Sequence, residues 1–435
     1  MVSIARAFLL AAAVLAVGCS GGRSLGTTSL TPQSPSQGRS AQSLEAFPIS
    51  ASAFPISASA FPICAQQPDI ESVQCHVEQR SDLVANPDPN APLAAIDGYF
   101  PNDLQQIYKI DDQSETKGAA QTIAIVTAWD NDDLESDLNV YRNRFGLGPC
   151  TVAGGCLTIS AGHNVKPPKD HNWSIEADLD VEMASAICPN CNLLVVEAKS
   201  SKIQDLADAV DTAAASGATV ISNSWSLPES PGAFKYESHF NHPGIPVTTG
   251  AGDGGFGVGF PAASTYVTAV GGTTVKIYEH TKQGDVVVPH YPMKNDKPAA
   301  ATVDVSVWSN TGSGCSAYAS KPKWQKDKGC AMRTSNDLGI VGDPATGVAA
   351  FSTGAGGWVV LGGTSIGAPV TAALYILGGH TSEVNDASRL YNHPGSFTDV
   401  LTGSNGTCSP AYLCNGSKDY DAPAGLGSPK DLAAF

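Results

Sequence analysis

Residues Leu193–Ser222, LLVVEAKSSKIQDLADAVDTAAASGATVIS, hold the unit that decides the fold. Leu193-Leu-Val-Val196 is a short apolar strand, Ile203–Ala215 has helical periodicity, and Thr219-Val-Ile-Ser222 is a strand again. Strand, helix and strand at this spacing imply a parallel sheet with helices on both faces. The same texture extends outward. Thr122-Ile-Ala-Ile-Val126 is a buried strand and Asp133–Phe145 a helix; Ile245-Pro-Val-Thr248 and Val267-Thr-Ala-Val270 are further strands. Trp358-Val-Val-Leu361 runs through Gly362-Gly-Thr-Ser365 into an apolar helix, Ala368–Leu377. No stretch within 97–435 looks like a linker, so one α/β domain is expected there.

Composition narrows the function. The chain has 435 residues, 42% apolar and 15% charged, with a formal charge of −16. That balance argues against a nucleic-acid partner, because phosphate binding needs clustered Lys and Arg. Residues 1–19 read as an export signal, with Arg6 as a minimal basic region and an apolar run, Ala7–Val17, too short to span a bilayer. It ends in Leu15-Ala-Val-Gly-Cys19, which looks like a bacterial lipoprotein signal, so Cys19 is the expected lipid anchor. Residues 20–45 are rich in Ser, Gly, Thr, Gln and Pro and read as disordered. A seven-residue unit then begins at Ala46, Ala53 and Ala60. With Pro at each third position it cannot form a coiled coil, and 20–96 as a whole reads as a low-complexity spacer.

Beyond Cys19, ten cysteines fall into close couples: Cys64/Cys75, Cys150/Cys156, Cys188/Cys191, Cys315/Cys330 and Cys408/Cys414. Local bridges in an exported protein are the simplest reading, although sequence alone leaves connectivity open. Cys188-Pro-Asn-Cys191 could also be a redox pair, but no matching couple or thioredoxin-like setting accompanies it.

Three elements carry chemistry. Wound as a helix, Ile175–Ile187 gathers Ala177, Leu179, Met183, Ala184 and Ile187 on an apolar arc, with Asp178, Glu182 and Ser185 opposite on an arc expected to meet solvent. Glu176 and Asp180, one turn apart, fall inside the apolar arc. An unpaired buried charge costs several kcal/mol, so two such acids share a proton or serve a function. Gly363-Thr-Ser365-Ile-Gly-Ala-Pro369 leads a strand into a helix and exposes Ser365 at its positive end, although alone such a turn is most often only a cap. Gly250-Ala-Gly-Asp253-Gly-Gly255 follows a strand and alone would be a turn.

In this order the three elements resemble the sedolisin family of serine-carboxyl peptidases. Gly98-Tyr-Phe-Pro-Asn-Asp-Leu-Gln-Gln-Ile-Tyr108 looks like the start of that family's catalytic domain, and Ser222-Asn-Ser-Trp225, Phe260-Pro-Ala-Ala263 and Val270-Gly-Gly-Thr-Thr274 follow in family order. The resemblance implies a subtilisin-like three-layer α/β sandwich with a seven-stranded, mostly parallel sheet. It also implies a secreted endopeptidase in which Ser365 attacks, Glu176 takes its proton, Asp180 orients Glu176, and Asp253 with backbone N–H groups holds the oxyanion. A carboxylate base and a protonated Asp253 both favour acid, so peak activity is expected well below neutral pH.

The resemblance further implies one structural calcium site from Asp399, the Val400 carbonyl and Asp421. Carbonyls of Ser417 and Asp419 would stand where the family tends to have Gly. Peptide or protein substrates and a monomer are expected. Family members commonly carry a long N-terminal prodomain, whereas about 75 residues separate Cys19 from the catalytic start here. Ile366-Gly367 also departs from the usual Ser/Ala-rich sequence. None of the nine histidines stands in a His-Gly-Thr setting, so a His base is not expected. His163 and His171 read as surface loop, and Asp130–Asp133 as a solvated turn. The main rival is a catalytically silent surface-binding module on the same fold.

Overall fold

The computed structural model describes residues 59–64, 69–162, 166–294 and 297–435. The export signal, Cys19, the first two seven-residue units but for Ser59, and His163 lie outside them. Seven strands run parallel: β1 Thr122–Ala128, β2 Leu157–Ala161, β3 Asn192–Ala198, β4 Val220–Asn223, β5 Val247–Gly250, the first half of β6 Thr268–Thr281, and β7 Leu338–Val341. They lie in the order β2-β3-β1-β4-β5-β6-β7. The second half of β6 pairs antiparallel with Ala301–Val307 and Gly284–Val288, extending the sheet to nine strands. Consecutive side chains in a strand point to opposite faces, yet Ile123, Ala124, Ile125 and Val126 are all fully buried. Both faces of the sheet are therefore covered, which is why its strands read as unbroken apolar runs.

The covering helices are α1 Leu134–Arg144, α2 His171–Ile187, α3 Ile203–Ala215 and α4 Gly367–Gly378. Asp170 caps α2, its side chain accepting from the N–H groups of Asn172 and Trp173. Helix α2 packs on β1, α1 and α4, on the helix Pro101–Tyr108, and on the strand Val348–Ser352. That enclosure overturns one expectation. Asp178, Glu182 and Ser185 do not face solvent; they are as buried as the apolar arc. Asp178 accepts a bond from Asn131 Nδ2 at 2.7 Å, and Glu182 accepts from the Phe351 N–H at 3.1 Å. The helical wheel separates the two arcs, but it cannot tell that a second layer covers the polar one.

Asp130–Asp133 is likewise only half solvated. Asp130 and Asn131 are buried, with Asp130 bridging to Lys166 at 3.1 Å. His171 is exposed as the first residue of α2 rather than in a loop.

All five expected disulfides are formed. The first of them lies in a segment read from sequence as spacer, and that reading requires correction. Residues 69–96 belong to the folded body. Gln74–Cys75 pairs antiparallel with Trp225–Ser226, just past β4, and Glu78–Gln79 pairs with Leu361–Gly362, just before the Ser365 turn. The third seven-residue unit supplies Ala60–Pro62, a strand against Glu78–Arg80. Val73, Cys75 and Val77 are buried, and this apolar content is what a solvated spacer would lack.

Burial raises the carboxyls of Asp178 and Glu182 well above their ordinary range; repulsion from Asp137 adds to the first and from Asp178 to the second. Burial also lifts Glu197 to about 7. A carboxyl with a raised native pKa binds its proton more tightly folded than unfolded. Its stabilising contribution is full below the unfolded value of about 4 and is lost as pH rises through the native value. The thermal midpoint should therefore fall between pH 4 and pH 8, by roughly 5 °C or more at about 2 °C per kcal/mol. Asp178→Asn with Glu182→Gln should flatten part of that fall, and a midpoint that climbs over the same interval would contradict this account.

Candidate active site

Helix α2, the end of β4, the end of β5 and the turn before α4 converge at Ser365. Gly363 turns the chain there with φ +113°. A Cβ on it would stand 2.1 Å from the His76 carbonyl oxygen and 2.7 Å from Asp253 Oδ2, so only glycine fits. Ser365 is fully buried and stands just ahead of α4, where backbone N–H groups have no helical partner. Its N–H donates to the His76 carbonyl at 3.2 Å, and its Oγ donates to the Ser224 carbonyl at 3.3 Å.

Glu176 and Asp180 are buried to within 1% of completely. Asp180 Oδ1 accepts from Ser224 Oγ at 2.5 Å, and that hydroxyl is also 3.3 Å from the Ser365 carbonyl. Neither Glu176 oxygen has a well-aligned hydrogen bond. Burial and then Asp180 push the Glu176 carboxyl well above the ordinary range, while the nearby Ser365 hydroxyl and His76 backbone pull partly the other way. Burial also raises Asp180, against the Ser224 hydroxyl. The pair titrates as a unit, and two negative charges on it are strongly disfavoured.

Asp253 follows β5. Its Oδ1 accepts from the Thr364 N–H at 2.9 Å and from Thr364 Oγ1 at 2.8 Å. Its Oδ2 has no partner and faces Gly363. Burial raises this carboxyl well above the ordinary range, so a proton on Oδ2 is favoured and can be donated. The structure thus places Glu176, Asp180 and Asp253 around the Ser365 turn. Two participants carried no expected role. Ser224 links Asp180 to the serine turn, although its motif, Ser222-Asn-Ser-Trp225, was visible. His76 lay in the supposed spacer, where the Cys64/Cys75 couple was the one sign of folded structure.

Of the expected calcium ligands, Asp399, Ser417, Asp419 and Asp421 lie near one another. Asp421 is 1% exposed; its carboxylate accepts from the N–H groups of Ser417 at 3.0 Å and Ala424 at 2.9 Å. Burial lifts it to about 8, with repulsion from Asp399 adding to that. Asp399 in turn accepts from the Asp419 N–H at 2.9 Å. Neither Asp399 nor Asp421 takes part in an ion pair among the described residues, and two mutually repelling carboxylates suit a bound cation. Among the described residues no three His, Cys, Asp or Glu side chains form a metal-binding group, so carbonyls of Val400, Ser417 and Asp419 would have to supply the remaining oxygens.

No family model matches the chain. Kumamolisin from Bacillus sp. (strain MN-32) is 29% identical over 371 residues, which cover 77% of this chain and 63% of kumamolisin. The chain therefore spans less than two thirds of that relative. Xanthomonalisin from Xanthomonas sp. (strain T-22) is 29% identical over 40% of this chain and 21% of its own length. Sedolisin from Pseudomonas sp. (strain 101) is 28% identical over 40% of this chain and 29% of its own length. Among solved structures, Pseudomonas sedolisin, a serine-carboxyl proteinase complexed with two molecules of pseudo-iodotyrostatin, superposes with a TM-score of 0.62. At 22% identity it covers 77% of this chain and 96% of its own, and that likeness speaks for the fold. Three such relatives in sequence and one in fold point the same way: the chain is similar to the sedolisin family of serine-carboxyl peptidases.

Proposed function

We propose that this chain is an endopeptidase that hydrolyses peptide bonds in acid, with Ser365 as nucleophile and Glu176 as general base. The observation that supports this most is the surroundings of Ser365: buried carboxyls with no cationic partner on one side and Asp253, held by Thr364, on the other. A serine hydroxyl attacks only when a base accepts its proton, and the carboxyl that feels the Ser365 hydroxyl is Glu176. Asp180, fixed through Ser224, orients Glu176 and limits the pair to a single negative charge. The oxyanion would receive the Ser365 N–H and a proton donated from Asp253 Oδ2. Substrates are peptides or unfolded proteins, and the protein acts as a monomer.

Calcium, in this reading, is structural. Bound between Asp399 and Asp421 with carbonyls of Val400, Ser417 and Asp419, it would neutralise a buried carboxylate that otherwise keeps its proton to about 8. Export with anchoring through Cys19 suits a protein with five disulfides. No helix among the described residues is long and apolar enough to cross a membrane.

Ser365→Ala should abolish casein cleavage at pH 3–5 without lowering the thermal midpoint. A variant that keeps wild-type activity, or a wild type inert on every peptide, would favour the silent binding module. Asp253→Ala should lose roughly 100-fold in kcat, the scale of one oxyanion donor. Asp253→Asn should recover part of that loss and hold activity to higher pH, because an amide donates without needing a proton. An alkaline limb unchanged in Asp253→Asn would remove Asp253 from that role. Chelation should lower the thermal midpoint of the wild type and leave that of Asp421→Asn unmoved; equal responses would refute the calcium site.

A further inference from the structure

Asp253 stands on an irregular loop, and an acid that offers one proton in one direction needs that loop held still. Thr364 holds it from the front. Its N–H and Oγ1 donate to the Asp253 carboxyl, and its Oγ1 accepts the Gly252 N–H at 3.0 Å. The back of the loop rests on residues 310–314, which belong to no helix or strand. The Gly312 N–H donates at 2.6 Å to the Gly252 carbonyl, part of the peptide that joins Gly252 to Asp253. The N–H groups of Gly255 and Gly257 donate to the carbonyls of Asn310 and Ser313, at 2.7 Å and 2.9 Å. A Cβ on Gly312 would stand 2.3 Å from the Ala251 carbonyl oxygen. The two backbones therefore touch, and a shift in one moves the other.

Two buried side-chain amides hold the carbonyls of this support. Asn336 Nδ2 donates to the Gly312 carbonyl at 2.8 Å and to the Pro423 carbonyl at 3.1 Å. Asn405 Nδ2 donates to the Thr311 carbonyl at 2.5 Å and to Ser313 Oγ at 2.7 Å. Both hydrogens of each amide nitrogen are thus engaged, while neither amide oxygen has a well-aligned partner. The two side chains serve as donors. Asn336 also has φ +70°, a left-handed conformation that Gly and Asn adopt more readily than other residues. Glycine would suit that backbone and supply no donor, so the amide is what this position adds. Without it, the Gly312 and Pro423 carbonyls each lose a buried donor, and Gly312 is free to draw away from Gly252.

We propose that Asn336 and Asn405 are positioning residues for Asp253. They press residues 310–314 against the Gly252–Asp253 peptide and so aim the proton on Asp253 Oδ2 at the oxyanion. The inference rests on the peptidase reading and names two residues that set its rate from behind the reacting groups.

The test is kcat and KM at pH 4, in the full chain, on an internally quenched peptide copied from the casein bond that wild type cuts fastest. Asn336→Gly keeps the left-handed backbone and removes the amide. It should lower kcat roughly tenfold and leave KM within about twofold, because the aim of Asp253 matters in the transition state. In an Asp253→Ala background the same substitution should change kcat by less than about twofold, since no carboxyl is left to aim. Asn405→Ala should repeat both results. An equal fold-loss with and without Asp253 is the signature of a stability residue; it would overturn the inference and spare the peptidase reading. Wild-type kcat in both amide variants, with Asp253→Ala impaired, would do the same. Loss of the folded state in both variants, read by the thermal midpoint, would overturn it by assigning the amides to architecture. A wild type inert on casein and on every peptide would overturn both readings.

Discussion

Carboxyl groups held out of water without a cation are the constraint on which this molecule depends. Helix α2 carries four of them, Glu176, Asp178, Asp180 and Glu182, all enclosed. Ionised in a dry interior, each would cost several kcal/mol, and together they would oppose folding. As neutral acids they are compatible with the core and can donate or accept as their neighbours require. Burial raises the proton affinity of all four, and the packing around α2 draws on those protons.

The two pairs use that condition differently. Asp178 Oδ1 and Glu182 accept from Asn131 and from the Phe351 N–H and so tie α2 to neighbouring layers, while Asp178 Oδ2 has no well-aligned partner. Glu176 keeps both oxygens without a well-aligned partner, and Asp180 keeps one. An unsatisfied buried polar atom is costly, and the Glu176 oxygens bear that cost beside Ser365, which is what the proposed role as base draws on. Thr364 and Ser224 do the positioning: one holds Asp253, the other joins Asp180 to the Ser365 turn.

Much was legible from residues alone. Apolar runs of strand length and the 203–215 periodicity announced the parallel sheet, because burial on both faces leaves no alternation to misread. The Glu176/Asp180 pair announced itself as acids on an apolar stripe, and the cysteine couples paired as neighbours in sequence. Three matters were decided only in three dimensions. Which carboxyls are buried depends on the layers around α2, and helical spacing reports faces but not what covers them. Ser224 and Thr364 acquire their roles from partners 44 and 111 residues away. The pairing of residues 74–79 joins Cys75 to Trp225 and Gln79 to Leu361, and no local pattern encodes a contact whose other half is written so far along the chain.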